Sequence, residues 1–224
     1  MQFNKANFTF LENLKENNNR EWFAEHKPEY TAILDNVKLF YTNVKDHLEQ
    51  QDSIEKLKLF RIYRDVRFSK DKTPYKTHFA GSFYREGKAL RGGYYLHLAP
   101  SNKSFLAGGF WEPNKEDLFR IRKEFEIDDT EIRSILAEQK FVTYFGGKLE
   151  GAELKTAPKG FDKEHKAIDL IRKKGFVAMR YFNDNEVLAN NFSNEVVDAF
   201  FALRPFFDYM SDVLTTNLNG ESLL

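Results

Sequence analysis

Between Leu57 and Trp111 the chain is a succession of short runs rich in aromatic and β-branched residues. They are divided by turn-forming stretches: Lys72-Thr73-Pro74, Glu86-Gly87-Lys88 with Gly92-Gly93, and Pro100-Ser101-Asn102-Lys103. None of these links is long enough to hold the crossover helix that parallel strands require. The spacing therefore predicts four strands, 57–68, 77–85, 93–99 and 104–111, paired antiparallel through hairpins.

Helical periodicity flanks this block. Tyr30, Ile33, Leu34, Val37, Tyr41, Val44 and Leu48 recur at three- and four-residue spacing behind Pro28, a residue at home in a first helical turn. The stretch from Phe8 to Phe23 reads as one or two shorter helices broken around Asn17-Asn18-Asn19. Beyond Pro113 the period returns at Leu118, Ile121 and Phe125, then at Ile132, Ile135 and Leu136 behind Asp128-Asp129. Residues 141–159 read as irregular and glycine-rich. A helix is expected near 165–173, a fifth strand over 176–182, and a last long helix from Ser193 that Pro205 should kink. Strands grouped between helical blocks indicate an α+β fold: an antiparallel sheet of about five strands covered by N-terminal and C-terminal helices. One domain is expected over 1–224, with a helical layer in 1–52, the sheet in 53–112, and helices plus one further strand in 113–224.

Composition narrows the chemistry. The 224 residues contain no cysteine, which removes disulfides, thiolate nucleophiles and sulfur-ligated zinc. No apolar run approaches the roughly 20 residues needed to span a bilayer, and Met1-Gln2-Phe3-Asn4-Lys5 lacks a signal-peptide layout, so a cytoplasmic location without membrane contact is expected. Lys plus Arg and Asp plus Glu are each 34. The charge is nevertheless segregated: 55–78 holds eight Lys or Arg against three acids, about +5, whereas 112–138 holds five against nine, about −4.

The basic stretch is the densest candidate site. On a strand, Arg61, Tyr63, Asp65 and Arg67 would share one face and Phe60, Ile62, Arg64, Val66 and Phe68 the other. Arg61 and Arg67 flanking Asp65 could be an ion-pair ladder, or a fork whose spare donors clamp a phosphate or carboxylate. Lys70, Lys72 and Lys76 in and beyond the following turn add the donors of an anion nest, though a solvated hairpin tip would look the same. His78 and His97 could meet across the sheet and, with Asp65, form an acid/base cluster; the bland alternative is hydrogen-bonded structural histidines. No metal-ligand spacing and no cofactor fingerprint is present. Lys155, Lys159 and His165 could extend the anion site, or His165, Asp169 and Arg172 could simply bond one another on one helical face. Gly108-Gly109 marks either a ligand approach or close packing. The abundant Phe residues fit core phases better than a base-stacking surface.

These residues together carry a resemblance. The run Asn18-Asn19-Arg20-Glu21-Trp22-Phe23, the motif from Arg61 to Lys76, Gly93-Tyr94-Tyr95-Leu96-His97-Leu98 and Ala157-Pro158-Lys159-Gly160-Phe161 resemble the bacterial and fungal conserved hypothetical proteins called domain of unknown function 2461. The similarity covers nearly the whole chain, and the long central motif is its specific part. It implies a single domain and brings no activity, substrate or catalytic residue.

Three functional expectations follow. The first is binding of an anionic small molecule, a phosphorylated metabolite or nucleotide, through Arg61, Arg67, Lys70, Lys72, Lys76, His78 and Lys159, with nucleic acid a less favoured partner. The second is an interaction or structural module in which the Arg/Asp cluster stabilises the fold. The third is a hydrolase-type enzyme using Asp65 and His97.

Overall fold

Asparagines punctuate the N-terminal helices. In the computed structural model, which describes residues 2–224, the side chain of Asn4 accepts from Asn7 N at 3.3 Å and opens α1 (Lys5–Glu16). Asn19 accepts from Trp22 N at 2.9 Å and opens α2 (Arg20–Glu25). Each cap satisfies an amide that the first turn leaves without a partner. Pro28 lies in the first turn of α3 (Lys27–Leu48).

The sheet contains β1 (Ile54–Leu59), β2 (Phe79–Arg85), β3 (Gly93–Leu98), β4 (Ser104–Phe110) and β5 (Phe176–Phe182). It is antiparallel, in the order β1-β2-β3-β4-β5, and the fold is α+β. The remaining helices are α4 (Lys115–Ile127), α5 (Thr130–Ala137), α6 (Gln139–Phe145), α7 (Ile168–Ile171), α8 (Asp184–Val187), α9 (Phe192–Phe201) and α10 (Arg204–Thr215). Among the described residues no helix is long and apolar enough to cross a membrane.

Four expectations need correction. The first strand ends at Leu59, not 68: the pairing with the second arm loses its regular register at Arg61, and from Asp65 to Thr73 the hairpin tip spends its hydrogen bonds internally. Within 141–159, Phe141 and Phe145 are buried one helical turn apart on α6, and Gly146 at φ +67° is that helix's stop signal. The helix near 165–173 is only α7, so His165 precedes it. Pro205 does not kink one helix: two residues form a turn after α9, and the proline lies in the first turn of α10, where its missing donor costs nothing.

The chain divides into two compact units. The first comprises the chain through Phe83, Tyr95–Leu106 and Tyr181–Asp198; the second comprises Tyr84–Tyr94, Ala107–Arg180 and Ala199–Leu224. In the first, α3 buries Val37, Phe40, Tyr41 and Val44 along one stripe. The Tyr41 hydroxyl donates to Leu96 O at 3.1 Å, and a Cβ at Gly81 would come within 2.9 Å of its ring. Burial holds this phenol well above its usual pKa and so neutral. In the second unit, the Phe207 and Leu203 side chains of the α10 region fill the space over Gly92 and Gly108. Arg85, its side chain 0 % exposed, lies over the Phe207 ring and donates to Asp208 at 2.8 Å and to Arg91 O at 3.0 Å.

Candidate functional site

The connection between β1 and β2 builds one side of the candidate site. Beyond β1 the hairpin ladder continues: Phe60 N donates to Ala80 O at 2.8 Å, Lys76 N to Ile62 O at 2.8 Å and Arg64 N to Pro74 O at 2.9 Å, with Tyr63 bridged to Tyr75. Between the first two of these bonds, Arg61 alone is opposed by residues 77–79. The second arm therefore bulges at Thr77 and His78, and a bulge re-aims side chains. Both residues line cavities.

At its tip this hairpin is tied internally. Arg67 grips Asp65 bidentately, Nε to Oδ1 at 3.0 Å and Nη2 to Oδ2 at 2.7 Å. Arg67 is thereby the chief cause of the lowered Asp65 pKa. Lys72 Nζ donates to Val66 O at 2.9 Å. Asp71 accepts from Thr73 N at 2.9 Å and is paired with Arg64, which also bonds Thr73; the Thr73 amide foremost, then Arg64, bring the Asp71 carboxyl down to about 2. Arg67 and Lys72, expected to clamp a ligand, thus close the loop on itself. Arg64, assigned to the core face by alternation, turns out half-buried at a cavity wall.

Two cavities lie along the base of this hairpin in the first unit. One, of about 380 Å³, is lined by α1 through Glu12, Lys15 and Glu16, by Thr77, His78 and His97, and by the β3–β4 turn through Ser101 and Lys103. The other, of about 430 Å³, is lined by Lys15, Arg64, Asp71, Lys76, Thr77 and His78, among others. They adjoin at Lys15, Thr77 and His78, which line both, and together make up a groove. Its walls are pinned. Asn18 exchanges two hydrogen bonds with the Tyr75 backbone, at 3.0 and 3.1 Å, which fixes the end of α1 against the hairpin. Asp184 accepts from Ser101 N and Asn102 N, each at 2.9 Å, holding two non-glycine residues at φ +67° and +57° next to Lys103.

His78 and His97 meet in this groove with ring centroids 4.1 Å apart, and the Tyr95 hydroxyl lies 3.3 Å from His97 Nδ1. Burial brings His97 down to about 4. His78 falls to about 3, through burial first and then the neighbouring His97, Lys76 and Arg64. Both rings are neutral at physiological pH, each with one donor and one acceptor. Lys76 is also lowered, by burial and then by Arg61. Lys15, Lys76 and Lys103 have no carboxylate partner among the described residues.

Not every expected residue arrives here. Lys76, His78 and His97 do. Arg61, Lys70 and Asp65 are exposed and line neither cavity, and Lys159 is an exposed residue of the second unit. Asp65 is engaged by Arg67, and no group of three or more His, Cys, Asp or Glu that could hold a metal occurs among the described residues. His165, Asp169 and Arg172 also separate: His165 Nδ1 accepts from Ala167 N, Asp169 pairs with Arg133 at 2.8 Å, and Arg172 faces Glu153 at 3.8 Å. Gly108-Gly109 serves packing, since a Cβ on Gly109 would meet Phe176 O at 2.1 Å. Sequence reasoning missed Lys15 and Lys103, which only tertiary structure brings beside the histidines. It also missed Tyr95 and Phe105, whose alternation with buried neighbours was the available signal.

The fold and groove define an α+β protein with a lysine-lined, histidine-paired recess. Its family follows from comparison: the conserved hypothetical protein family DUF2461 matches residues 6–209, and the chain belongs to it. No curated protein and no solved structure matches the chain.

Proposed function

We propose that the first unit binds a small anionic ligand, a phosphorylated metabolite or nucleotide, in the groove over His78 and His97. The observation that supports this reading is the gathering of Lys15, Lys76 and Lys103, none with a carboxylate partner among the described residues, around two neutral imidazoles. Unpaired ammonium groups at a recess supply point charge for an oxyanion, and neutral imidazoles and Thr77 supply directional donors. Glu12 and Glu16 in the same lining favour a ligand that also offers hydroxyl or amino donors, as a nucleotide does.

This reading moves the site from the hairpin tip to its base. The pairing at the tip, Arg67 on Asp65 and Arg64 on Asp71, favours a structural role for those groups. Calorimetric titration with inorganic phosphate and with a nucleoside monophosphate, at low and physiological salt, tests the assignment. Binding should weaken at least about fivefold in Lys15→Ala and Lys76→Ala and be little changed in Lys70→Ala. Unchanged binding in the first two variants, or no binding in the wild type, would overturn it.

A further inference from the structure

β3 alternates between two environments. Tyr94, Leu96 and Leu98 are buried, whereas Tyr95 and His97 project from the opposite face and are half-buried. On neighbouring elements of the first unit that layer of rings continues. Phe105 lies 5.7 Å from Tyr95, 4.7 Å from His97 in a near-parallel stack, and 5.9 Å from Tyr181. Phe60 lies 6.3 Å from Tyr95, and the ammonium groups of Lys58 and Lys76 stand 5.5 and 5.6 Å from its centroid. None of these rings is buried, and Tyr181 is 60 % exposed. A contiguous group of partly exposed aromatic rings leaves apolar contact area at the surface.

We propose that this face is a stacking platform for single-stranded nucleic acid, with bases on Tyr95, Phe105 and Tyr181 and phosphates at Lys58, Lys76 and the lysines of the adjoining groove. The proposal rests on the anion reading of that groove, with which it shares His78, His97 and Lys76. Two features choose this occupant. Unpaired bases expose flat π faces that stack on aromatic rings, whereas duplex bases are already stacked on each other. Lys58 and Lys76 on this face, and Lys15 and Lys103 in the adjoining groove, have no carboxylate partner among the described residues, an arrangement that suits a polyanion and not an apolar protein surface. Most phenylalanines are buried, as their phases indicate, and the half-buried Phe60 and Phe105 are exceptions to that pattern.

Fluorescence anisotropy decides the matter with labelled oligothymidylate and oligouridylate of about ten nucleotides. A duplex of equal length, a mononucleotide and polyglutamate serve as competitors. The single strands should bind more tightly than the mononucleotide and lose affinity steeply between about 50 and 200 mM salt. Tyr181→Ala and Phe105→Ala should each weaken binding about tenfold, with Tyr181→Phe close to wild type because the ring is retained. Thermal melts of the same variants separate lost stacking from lost fold, and the 60 % exposed Tyr181 is the decisive position. Competition by duplex or polyglutamate equal to that by single strand would overturn the platform, as would wild-type affinity in folded Tyr181→Ala. Oligonucleotide binding no tighter than mononucleotide binding would refute the platform and leave the small-anion reading standing. Binding of neither would refute both.

Discussion

The glycines of the second unit and the rings of the first show two opposite uses of a sheet surface. Gly92, Gly108, Gly109 and Gly175 in the second unit are approached so closely that a Cβ at any of them would lie within 3 Å of a neighbouring atom. The space directly over these glycines is already filled. In the first unit the side chains are large, Phe60, Tyr95, His97, Phe105 and Tyr181, and all remain partly in water. A surface without side chains is closed by the protein's own backbone and helices. One covered in partly exposed rings has contact area still to give.

The contrast predicts that substitutions at the second unit's close-packed glycines act on stability and those at the first unit's exposed rings on binding. The largest effect should come from Gly109→Ala, which puts a Cβ 2.1 Å from Phe176 O at φ +142°. A loss of about 4 kcal/mol or more is expected, lowering the melting temperature by about 10 °C or removing the cooperative transition. Gly87→Ala is the control: its φ is +68°, but nothing lies within 4 Å, so about 1 kcal/mol of backbone strain is the expected cost. Equal effects at the two positions would break the comparison.

Next in size is acid sensitivity. His78 and His97 titrate near 3 and 4 in the folded chain, against 6.5 for an unperturbed histidine. Their contribution to stability is complete above pH 6.5 and is lost as pH falls from there toward 3–4, because the unfolded state takes up protons first. The slope is at most about 1.4 kcal/mol per pH unit for each histidine. Denaturant titrations across that range should show a shallower acid limb in His78→Gln, whose facing charges are Lys76 and Arg64. An unaltered limb would mean that the ring is not held neutral by its site. Asp71, brought to about 2, loses its contribution at lower pH, below 3.8, so the two effects are separable.

Smaller still, Tyr41→Phe should cost about 1 kcal/mol in chemical denaturation, through the lost hydrogen bond to Leu96 O. Smallest should be Lys76→Ala, within about 0.5 kcal/mol of wild type in stability although it weakens anion binding. A larger loss of stability there would assign Lys76 to the fold.

Much of the architecture was legible because it rests on local patterns. Short links forced antiparallel pairing, and 176–182 reads as a strand from its own residues. Errors came where one local signal outweighed another. Alternation suggested a strand through Phe68, but Asp65 and Asp71 offered the backbone and arginines better partners than a sheet edge would. Gly146 and Gly147 suggested a loop, when they end a helix that Phe141 and Phe145 anchor. At the candidate site, His78 and His97 were legible as a pair, but Lys15 comes from α1, far away in sequence, and Lys103 from the β3–β4 turn, where nothing in the local pattern pointed to the histidines. Charge counting was drawn to Arg67 and Lys72, the groups that the loop itself consumes.

The five histidines provide a direct probe of where a ligand lands. In a side-chain nitrogen–proton correlation spectrum, added nucleoside monophosphate should shift the imidazole resonances of His78 and His97 in a saturable way. Those of His26, stacked on Trp22, and of His165 in the second unit should stay in place. Saturable shifts at His165 with none at His78 and His97 would contradict the account.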